Sequence, residues 1–349
     1  MMSKFNRWLL VLLAVQLIIV AAIYLLKSNS DATYKSTPIL DFEKSQLTKL
    51  VITNGERDSD SASESESEQL AGEKSAKAVT LTLQDGEWIL PELNRLPANR
   101  VKLDLAIGKL MGLKSNWPVA TTQDSQSRFK VASDNYQKKI QLFSHDKVIA
   151  ELFLGTSPGF KKVHLRQSGS QEIYSLELNS YDFSDSATDW LDKALLQIND
   201  INKISLDEFS LKKKQDTWTL SPSELVTEGK QLDINKVDAL VTKLASFNVL
   251  DVTNGEDAQS EKITAAEVDR LTIGADQEYQ LTFYKNESDY WVKRNDIDSL
   301  FSISSTDYNE LVNVDAEKLL TEVKPTDDNT QQGQADSQQA DSEQAGEDQ

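Results

Sequence analysis

The most enzyme-like motif of the chain is a serine between glycines, Gly155–Gly159 with the sequence GTSPG, which matches G-x-S-x-G. In hydrolases with this motif the serine lies on a strand-to-helix elbow, and the N–H of the next residue helps to bind the oxyanion. The next residue here is Pro158, which has no N–H. No acidic residue separates Ser157 from the one downstream histidine, His164. The motif therefore predicts a Pro-Gly turn between two strands, and we do not expect an enzyme.

An aromatic residue and several basic side chains follow this turn on an otherwise acidic chain. Phe160, Lys161, Lys162, His164 and Arg166 form a candidate contact surface. A cationic cluster of this kind could meet a phosphate, a glycan or an acidic partner. In the alternative interpretation, alternate residues of a β-hairpin simply face solvent. The sequence leaves both interpretations open.

The composition excludes several classes of function. The formal net charge is −19 at pH 7, so the phosphates of a nucleic acid would be repelled. The sequence has no Cys, which excludes thiolate metal sites, disulfides and Cys nucleophiles. Its two histidines, His145 and His164, do not have the spacing of metal ligands. We therefore predict no metal, no other cofactor and no nucleic-acid partner.

The N-terminal region has the composition of a membrane-spanning helix. Residues 8–26 form a run of nineteen residues without a charge. As a helix they would span about 28 Å, close to the hydrocarbon thickness of a bilayer. Trp8 and Tyr24 lie near the two ends, where aromatic rings favour the headgroup region. We predict a membrane anchor over residues 1–30; a cleaved signal peptide, with Ser28–Ser30 imitating a cleavage site, is the alternative.

The charges that flank this segment predict its orientation. Lys4 and Arg7 precede the apolar run, whereas Lys27 alone follows it directly. Positively charged flanks tend to stay on the cytoplasmic side. The N-terminus is therefore predicted to be cytoplasmic and the bulk of the chain to lie outside the cytoplasm. In a bacterium this describes a single-pass protein of the inner membrane with a periplasmic domain.

Two segments have a low-complexity composition. Residues 56–78 are rich in Ser and Glu, and residues 323–349 are rich in Gln, Ser and acidic side chains. Segments with so few apolar side chains cannot offset the entropy of ordering the backbone, so both are predicted to be disordered. They could be acidic arms that bind a partner or, alternatively, solvating spacers.

The remaining sequence shows one order of elements twice: a β-hairpin, an amphipathic helix, a β-meander and a closing helix. The amphipathic helices are predicted near Asn99–Leu113 and Ile234–Phe247, and the closing helices near Ser186–Leu196 and Asp307–Leu320. Strands linked by short turns make antiparallel sheets. The predicted fold class is α+β, with an N-terminal transmembrane helix followed by two tandem repeats of antiparallel β-sheet with helices packed on one face.

The repeats are placed at residues 38–195 and 196–322, with the insertion 56–78 inside the first one. Matching residues support the duplication. They are paired as Trp88 with Trp218, Asn99 with Asn235 and Val101 with Val237.

This layout resembles a bacterial family known as domain of unknown function 4340 (DUF4340). The N-terminal apolar segment, the hairpin sequence Gly86–Trp88, the segment Leu154–Leu178 and the later Trp190–Lys193 carry the resemblance. Family members are often encoded beside ABC-type transporter components and gliding-motility-like auxiliary proteins. The resemblance therefore implies an accessory role in the cell envelope.

We thus expect a non-enzymatic, membrane-anchored accessory or scaffold protein, associated through its extracytoplasmic domain with an ABC-type transport or gliding-motility-like complex. The alternative is an extracytoplasmic module that holds a glycan or a lipid between the two repeats. A protein partner predicts an exposed apolar patch. A ligand module predicts a concave pocket with a few polar groups, and an enzyme predicts perturbed titratable groups inside such a pocket.

Overall fold

The computed structural model describes residue 8 and residues 12–22, 36–55, 77–115, 117–253 and 267–323. Trp8 is exposed, and residues 12–22 are helical and exposed. Within the described residues, no helix has both the length and the apolar character needed to cross a bilayer.

Several sequence predictions fall outside these ranges. For the predicted anchor this applies to residues 9–11 and 23–26 and to the flanking residues Lys4, Arg7 and Lys27. Tyr24, the aromatic residue near the second end of the predicted anchor, is among them. Residues 56–76 of the predicted insertion and residues 324–349 of the predicted tail also lie outside the described residues.

Eighteen β-strands lie in the described part of the chain. The first repeat contains β1 (Lys49–Asn54), β2 (Ala78–Gln84), β3 (Glu87–Leu90), β4 (Leu96–Pro97), β5 (Lys138–Ser144), β6 (Lys147–Leu154), β7 (Lys162–Gln167) and β8 (Ile173–Glu177). The second repeat contains β9 (Lys203–Ser205), β10 (Ser210–Lys214), β11 (Thr217–Ser221), β12 (Lys230–Leu232), β13 (Asp251–Thr253), β14 (Glu267–Gly274), β15 (Glu278–Asn286), β16 (Asp289–Arg294), β17 (Leu300–Ser302) and β18 (Leu320–Glu322). Ala78, the last residue of the predicted insertion, is the first residue of β2.

Four α-helices lie between residues 36 and 323 of the described chain. They are α1 (Arg100–Met111), α2 (Gln123–Arg128), α3 (Ile234–Ala245) and α4 (Ser305–Val312). Short 3-10 turns occupy Lys44–Gln46, Pro91–Leu93, Ser180–Asp182, Ala187–Trp190, Ser223–Leu225 and Glu317–Leu319. The two long helices, α1 and α3, confirm the two amphipathic helices that the sequence predicts.

Sixteen of the strands form two large antiparallel sheets, which confirms the α+β class, and β12 pairs separately with β18. The strand orders of the two large sheets are β4-β3-β2-β1-β5-β6-β7-β8 and β11-β10-β9-β14-β15-β16-β17-β13. In each sheet the first strand of the repeat lies between the hairpin and the meander. Leu50 of β1 pairs with Leu142 of β5, as Ile204 of β9 pairs with Ile273 of β14. The two sheets therefore share this strand order, as expected for the duplication that the sequence predicts.

The two long helices pack on the sheets through one buried face each. Buried residues of α1 are Leu103, Ala106, Ile107 and Leu110, and buried residues of α3 are Val237, Leu240 and Leu244. They belong to one hydrophobic cluster that contains side chains of both repeats. Each fully buried aliphatic side chain contributes roughly 1.5–3 kcal/mol relative to an exposed one, so these faces hold the helices in place.

A second, smaller cluster lies on the other face of the first sheet. Val131, Phe153 and Ile173 form it, and the segment that includes α2 covers it. Two glycines allow this close approach: a Cβ at Gly155 would lie 1.9 Å from the Phe129 carbonyl oxygen, and a Cβ at Gly55 would lie 1.6 Å from that of Tyr136. The backbone of residues 129–136 therefore lies directly on the sheet.

The two repeats match with a register that differs from the predicted one. Asn99 and Asp233 are the N-cap residues of α1 and α3, and each side chain accepts a hydrogen bond from a backbone N–H of its helix. Val101 is 72% exposed, whereas Val237 is fully buried. The predicted pairs Asn99–Asn235 and Val101–Val237 are therefore displaced by two residues, because caps and buried positions align Asn99 with Asp233.

The prediction of a first closing helix near Ser186–Leu196 is wrong. The structure has only the 3-10 turns Ser180–Asp182 and Ala187–Trp190 there, whereas the second repeat closes with α4. Seven positions separate the buried residues Phe183 and Trp190, but eleven separate their counterparts Tyr308 and Leu319. The first repeat thus lacks four residues, about one turn of an α-helix.

Candidate functional site

The predicted contact surface is divided by the structure. Phe160 is 89% exposed, and Lys161 and Lys162 are exposed beside it. His164 and Arg166, by contrast, are only 8% and 5% exposed. The surface of five predicted residues is therefore corrected to three.

Segment 129–136 covers His164. The Nδ1 atom of His164 lies 2.9 Å from the Thr156 hydroxyl, and its ring lies 4.2 Å from the Phe129 ring, measured between centroids. Burial lowers the pKa of His164, and a hydrogen bond with the Thr156 backbone opposes this shift. His164 is therefore a packed, hydrogen-bonded part of the sheet.

Arg166 is held by the same segment. Its Nε donates to the Val131 carbonyl over 2.7 Å, and its Nη1 donates to the Ser170 carbonyl over 3.1 Å. The guanidinium lies 4.7 Å from the centroid of the Phe153 ring. Burial lowers the pKa of Arg166, and the charge of Glu151 opposes this shift. Arg166 thus fixes the segment on the sheet and offers little to a ligand.

The serine motif forms a turn between β6 and β7, as predicted. The Ser157 hydroxyl oxygen lies 2.8 Å from the Gly159 carbonyl oxygen and 2.7 Å from the Lys162 carbonyl oxygen. These contacts let its O–H stabilise the turn. His164 faces Thr156 instead of Ser157.

A groove of about 660 Å³ opens beside Phe160 at one end of the first sheet. It is lined by Lys109, Gly112, Leu113, Phe160, Lys161, Glu177, Leu178, Asn179 and Asp182. The Leu178 N–H donates to the Lys161 carbonyl over 3.1 Å, and Lys109 forms an ion pair of 2.6 Å with Asp182. We call this site the open groove. It lies between the C-terminal end of α1 and the turn that contains Phe160.

The second repeat has a corresponding groove, but a helix forms one of its walls. Lys243 of α3 binds Asp307 at 2.5 Å and Glu310 at 2.6 Å, both on α4. Lys109 is the counterpart of Lys243, and it pairs with Asp182 in a short 3-10 turn. Within the continuously described residues 117–253, the first repeat has no helix at the place of α4. This wall of the open groove is therefore missing.

The outer face of α1 is also exposed among the described residues. Its exposed stripe consists of Val101, Leu105, Gly108 and Gly112, which we call the outer seam. Leu105 is 62% exposed. The matching positions of α3 are Asn235, Ala239, Thr242 and Ser246. The two helices thus differ on the side that faces away from the core, and the apolar side belongs to the first repeat.

One described group with a clearly shifted pKa, Lys243, lines the groove of the second repeat. Burial lowers the pKa of Lys138, with the charge of Asp185 opposing the shift, and its amino group donates to the Phe183 carbonyl. Neither Lys138 nor His164 nor Arg166 lines either groove or the 250 Å³ cavity near Phe209. Among the described residues, no three or more His, Cys, Asp or Glu side chains are placed to hold a metal ion.

Sequence reasoning missed the open groove, although a signal was present. The spacing between the buried aromatics and the end of each repeat differs by four residues, as described for Phe183 and Tyr308. A comparison of the two repeat lengths could have found this loss of a helical turn. The apolar residues Val101 and Leu105 on the outer side of α1 were a second signal.

The chain matches one family model, whose description is domain of unknown function (DUF4340), over residues 88–266. The match begins in β3, includes α1 and the whole meander of the first repeat, and ends just before β14. No curated protein and no solved structure matches the chain.

Proposed function

The chain belongs to the DUF4340 family, and on that premise we propose that it is a non-enzymatic, membrane-anchored accessory or scaffold protein of the cell envelope. Residues 8–26 hold it in the bacterial inner membrane, with the N-terminus in the cytoplasm and both repeats in the periplasm. The first repeat binds a protein partner at the open groove. The partner is a component of an ABC-type transport or gliding-motility-like complex.

One observation carries this proposal: the first repeat leaves open the place that a helix occupies in the second. Lys109 of α1 pairs with Asp182 in a short 3-10 turn, whereas α3 is joined to α4 by the ion pairs of Lys243. A helix that enters a groove through a few anchoring side chains is a common mode of protein recognition. The open groove is therefore suited to a helix from another chain.

The side chains at the groove have the composition of a protein-binding site. Phe160 and Tyr181 are the two most exposed aromatic residues described, and Tyr181 directly precedes the groove residue Asp182. Exposed aromatics are costly in water and are enriched among the residues that dominate binding energy. Lys161 beside Phe160 adds a charge that an acidic partner would complement.

The position at which the chain enters the fold supports a partner in or near the membrane. The Thr37 N–H donates to the Ser115 hydroxyl over 3.1 Å, three residues beyond Gly112 of the groove. Residues 27–36 connect the predicted anchor to this point, and ten extended residues reach about 35 Å at most. The groove would therefore stay close to the bilayer, which raises its effective concentration for membrane partners.

The test is photocrosslinking of the full-length protein in its native membrane. A photoreactive amino acid replaces Phe160, and a control replaces Val148, an exposed apolar residue of β6 in the same sheet. The proposal expects ABC-type transporter components to be captured from position 160 and not from position 148. Equal capture from both positions, or capture of no envelope protein from position 160, would contradict it.

A glycan- or lipid-binding module is the second candidate. The 660 Å³ volume of the open groove supports it, because small-molecule sites commonly measure about 300–1,000 Å³. The groove lies within the first repeat, so the ligand would not be held between the repeats. Copurifying glycans or lipids that are lost in Phe160→Ala, without a protein crosslink from position 160, would favour this function.

A further inference from the structure

The outer seam of α1 has the spacing of a helix-pairing surface. Val101, Leu105, Gly108 and Gly112 follow one another at intervals of four, three and four residues, the spacing of the core positions in a coiled coil. All four are exposed, while the opposite face of the helix is buried in the core. The helix is thus apolar on two sides, and the described part of its own chain covers one of them.

Gly108 is not required by the fold. A Cβ at this position would meet nothing within 4 Å. Glycine in the interior of a helix is unfavourable relative to alanine, so it usually has a local reason. Small residues on a helix face allow a second helix to approach closely. A second helix on the outer seam would supply this reason.

The sizes of the four side chains make the seam complementary to itself. If two copies of α1 pack antiparallel with the centre of contact between Ala106 and Ile107, Leu105 meets Gly108 of the second copy, and Val101 meets Gly112 of the second copy. Each bulky side chain fills the space that a glycine leaves. Parallel packing would set Leu105 against Leu105 and Gly108 against Gly108, which leaves voids.

We propose that the full-length protein forms a twofold-symmetric dimer through the outer seam, with α1 packed antiparallel against α1 of the second copy. A twofold interface uses the same patch on both subunits, as this seam requires. Such a dimer goes beyond the proposed function, and among the groove-lining residues its seam includes Gly112, at one end of the seam. Anchoring in one membrane raises the effective concentration of the two copies, so a small seam is sufficient.

The second repeat provides an internal comparison. The seam positions of α3 are polar or small, and α3 pairs instead with α4 of its own chain. Lys243 joins the two helices through Asp307 and Glu310. In the first repeat this inner partner is missing, and the exposed bulky residues Val101 and Leu105 are present. The outer face of the duplicated helix therefore carries bulky apolar side chains in the first repeat and polar or small ones in the second.

The charged residues on one flank of the seam are already held by their own chain. Lys109 pairs with Asp182 at 2.6 Å, and Lys102 donates to the Asp189 carbonyl over 2.7 Å. The dimer therefore does not need to neutralise them. A twofold axis between antiparallel helices keeps this flank of both copies on the same side. The two open grooves, each lined by Lys109, would thus open side by side.

Because the chain has no Cys, engineered cysteines report the contact directly. Differently tagged Leu105→Cys and Gly108→Cys proteins are co-expressed at full length in the native membrane and oxidised. The dimer predicts a disulfide between the two tags. Either variant alone should give little, because its own cysteines are offset by about 4.5 Å along the helices in addition to the helix separation. Efficient crosslinking of Leu105→Cys with itself, or none between the two variants, would overturn the proposal.

A second experiment separates association from folding. Gly108→Leu is tolerated by the free protein, since the space above Gly108 is open. It should reduce the disulfide between co-expressed Val101→Cys and Gly112→Cys about tenfold, which corresponds to about 1.4 kcal/mol. Thr242→Leu, at the matching exposed position of α3, is the control and should leave crosslinking unchanged. Undiminished crosslinking in Gly108→Leu, or capture of a different protein at the seam, would refute the dimer.

Discussion

The backbone N–H of Asn99 donates a hydrogen bond of 2.6 Å to the carbonyl of Trp190 and so ties the start of α1 to the end of the first repeat. The second repeat uses the same joint: the N–H of Asp233 donates to the carbonyl of Leu319 over 2.8 Å. Both donor residues also cap their helices. In each repeat, one residue thus caps the main helix and also binds the 3-10 turn at the end of that repeat through its backbone N–H.

The caps should contribute to stability by similar amounts in the two repeats. The Asn99 side chain accepts from the Lys102 N–H over 2.9 Å, and the Asp233 side chain accepts from the Asn235 N–H over 3.1 Å. Asn99→Ala and Asp233→Ala are each expected to lower the free energy of unfolding by about 1 kcal/mol. Denaturant titration of the full-length protein in detergent measures this. Asn99→Asp is the control, and it should retain the stability because Asp is also a good cap.

The two glycines of the serine motif should respond in opposite ways to one added methyl group. A Cβ at Gly155 would lie 1.9 Å from the Phe129 carbonyl oxygen, whereas a Cβ at Gly159 would meet nothing within 4 Å. We expect Gly155→Ala to lower the free energy of unfolding by about 2 kcal/mol or more, because backbone must move. Gly159→Ala should change it by less than about 0.5 kcal/mol. Thermal unfolding followed by circular dichroism compares the two, and equal effects would show that segment 129–136 does not lie on the sheet.

Burial of His164 predicts a loss of stability in mild acid. Its pKa is lowered in the folded state, so the unfolded chain binds the proton more readily. Stability should therefore fall as the pH decreases below about 6.5, the ordinary value for histidine, and continue to fall until the lowered folded pKa is reached. His164→Asn should flatten this slope. Unfolding free energies between pH 5 and 8 provide the measurement.

The ion pairs between α3 and α4 predict a different pH dependence. Burial lowers the pKa of Lys243, but hydrogen bonds and charges of Asp307 and Glu310 outweigh burial and raise it. This stabilisation is present at neutral pH and is lost as the pH rises above about 10.5, where the unfolded lysine deprotonates. Lys243→Ala should cost about 1 kcal/mol at pH 7, and Lys109→Ala less, because Lys109 is more exposed and has one carboxylate partner. Equal costs would contradict the assigned difference between the repeats.

The sequence predicted the duplicated architecture because its signals are local. Alternation in the strands and the apolar periodicity of α1 and α3 are visible in short windows, and both helices are confirmed. Strand β14 was not predicted, although Leu271 and Ile273 alternate with polar residues and are buried. The closing helix of the first repeat was predicted wrongly for another reason. The first repeat is four residues shorter there than the second, which becomes visible when the spacing of Phe183 and Trp190 is compared with that of Tyr308 and Leu319.

The exposure of the five residues in the predicted contact surface could be predicted only in part, for a physical reason. His164 and Arg166 alternate with apolar residues of β7, which is typical of a strand with one face in solvent. That face is covered by segment 129–136, which follows the polar helix α2. The segment places Phe129, Val131 and Tyr136 in the small cluster and is otherwise mostly polar. Coverage by a polar segment leaves no mark in the strand itself. The exposed Phe160, in contrast, follows from its place in a turn.

The central claim is that the open groove binds a protein of the envelope through Phe160. The most direct measurement is affinity purification of the full-length protein from native membranes, with quantification of copurifying ABC-type transporter components. Phe160→Ala should reduce their recovery about tenfold or more, as truncation of a dominant aromatic does, while the abundance of the protein itself stays the same because Phe160 is 89% exposed. Val148→Ala should have no effect. Undiminished recovery with Phe160→Ala, or absence of these components from the unmodified protein, would contradict the account.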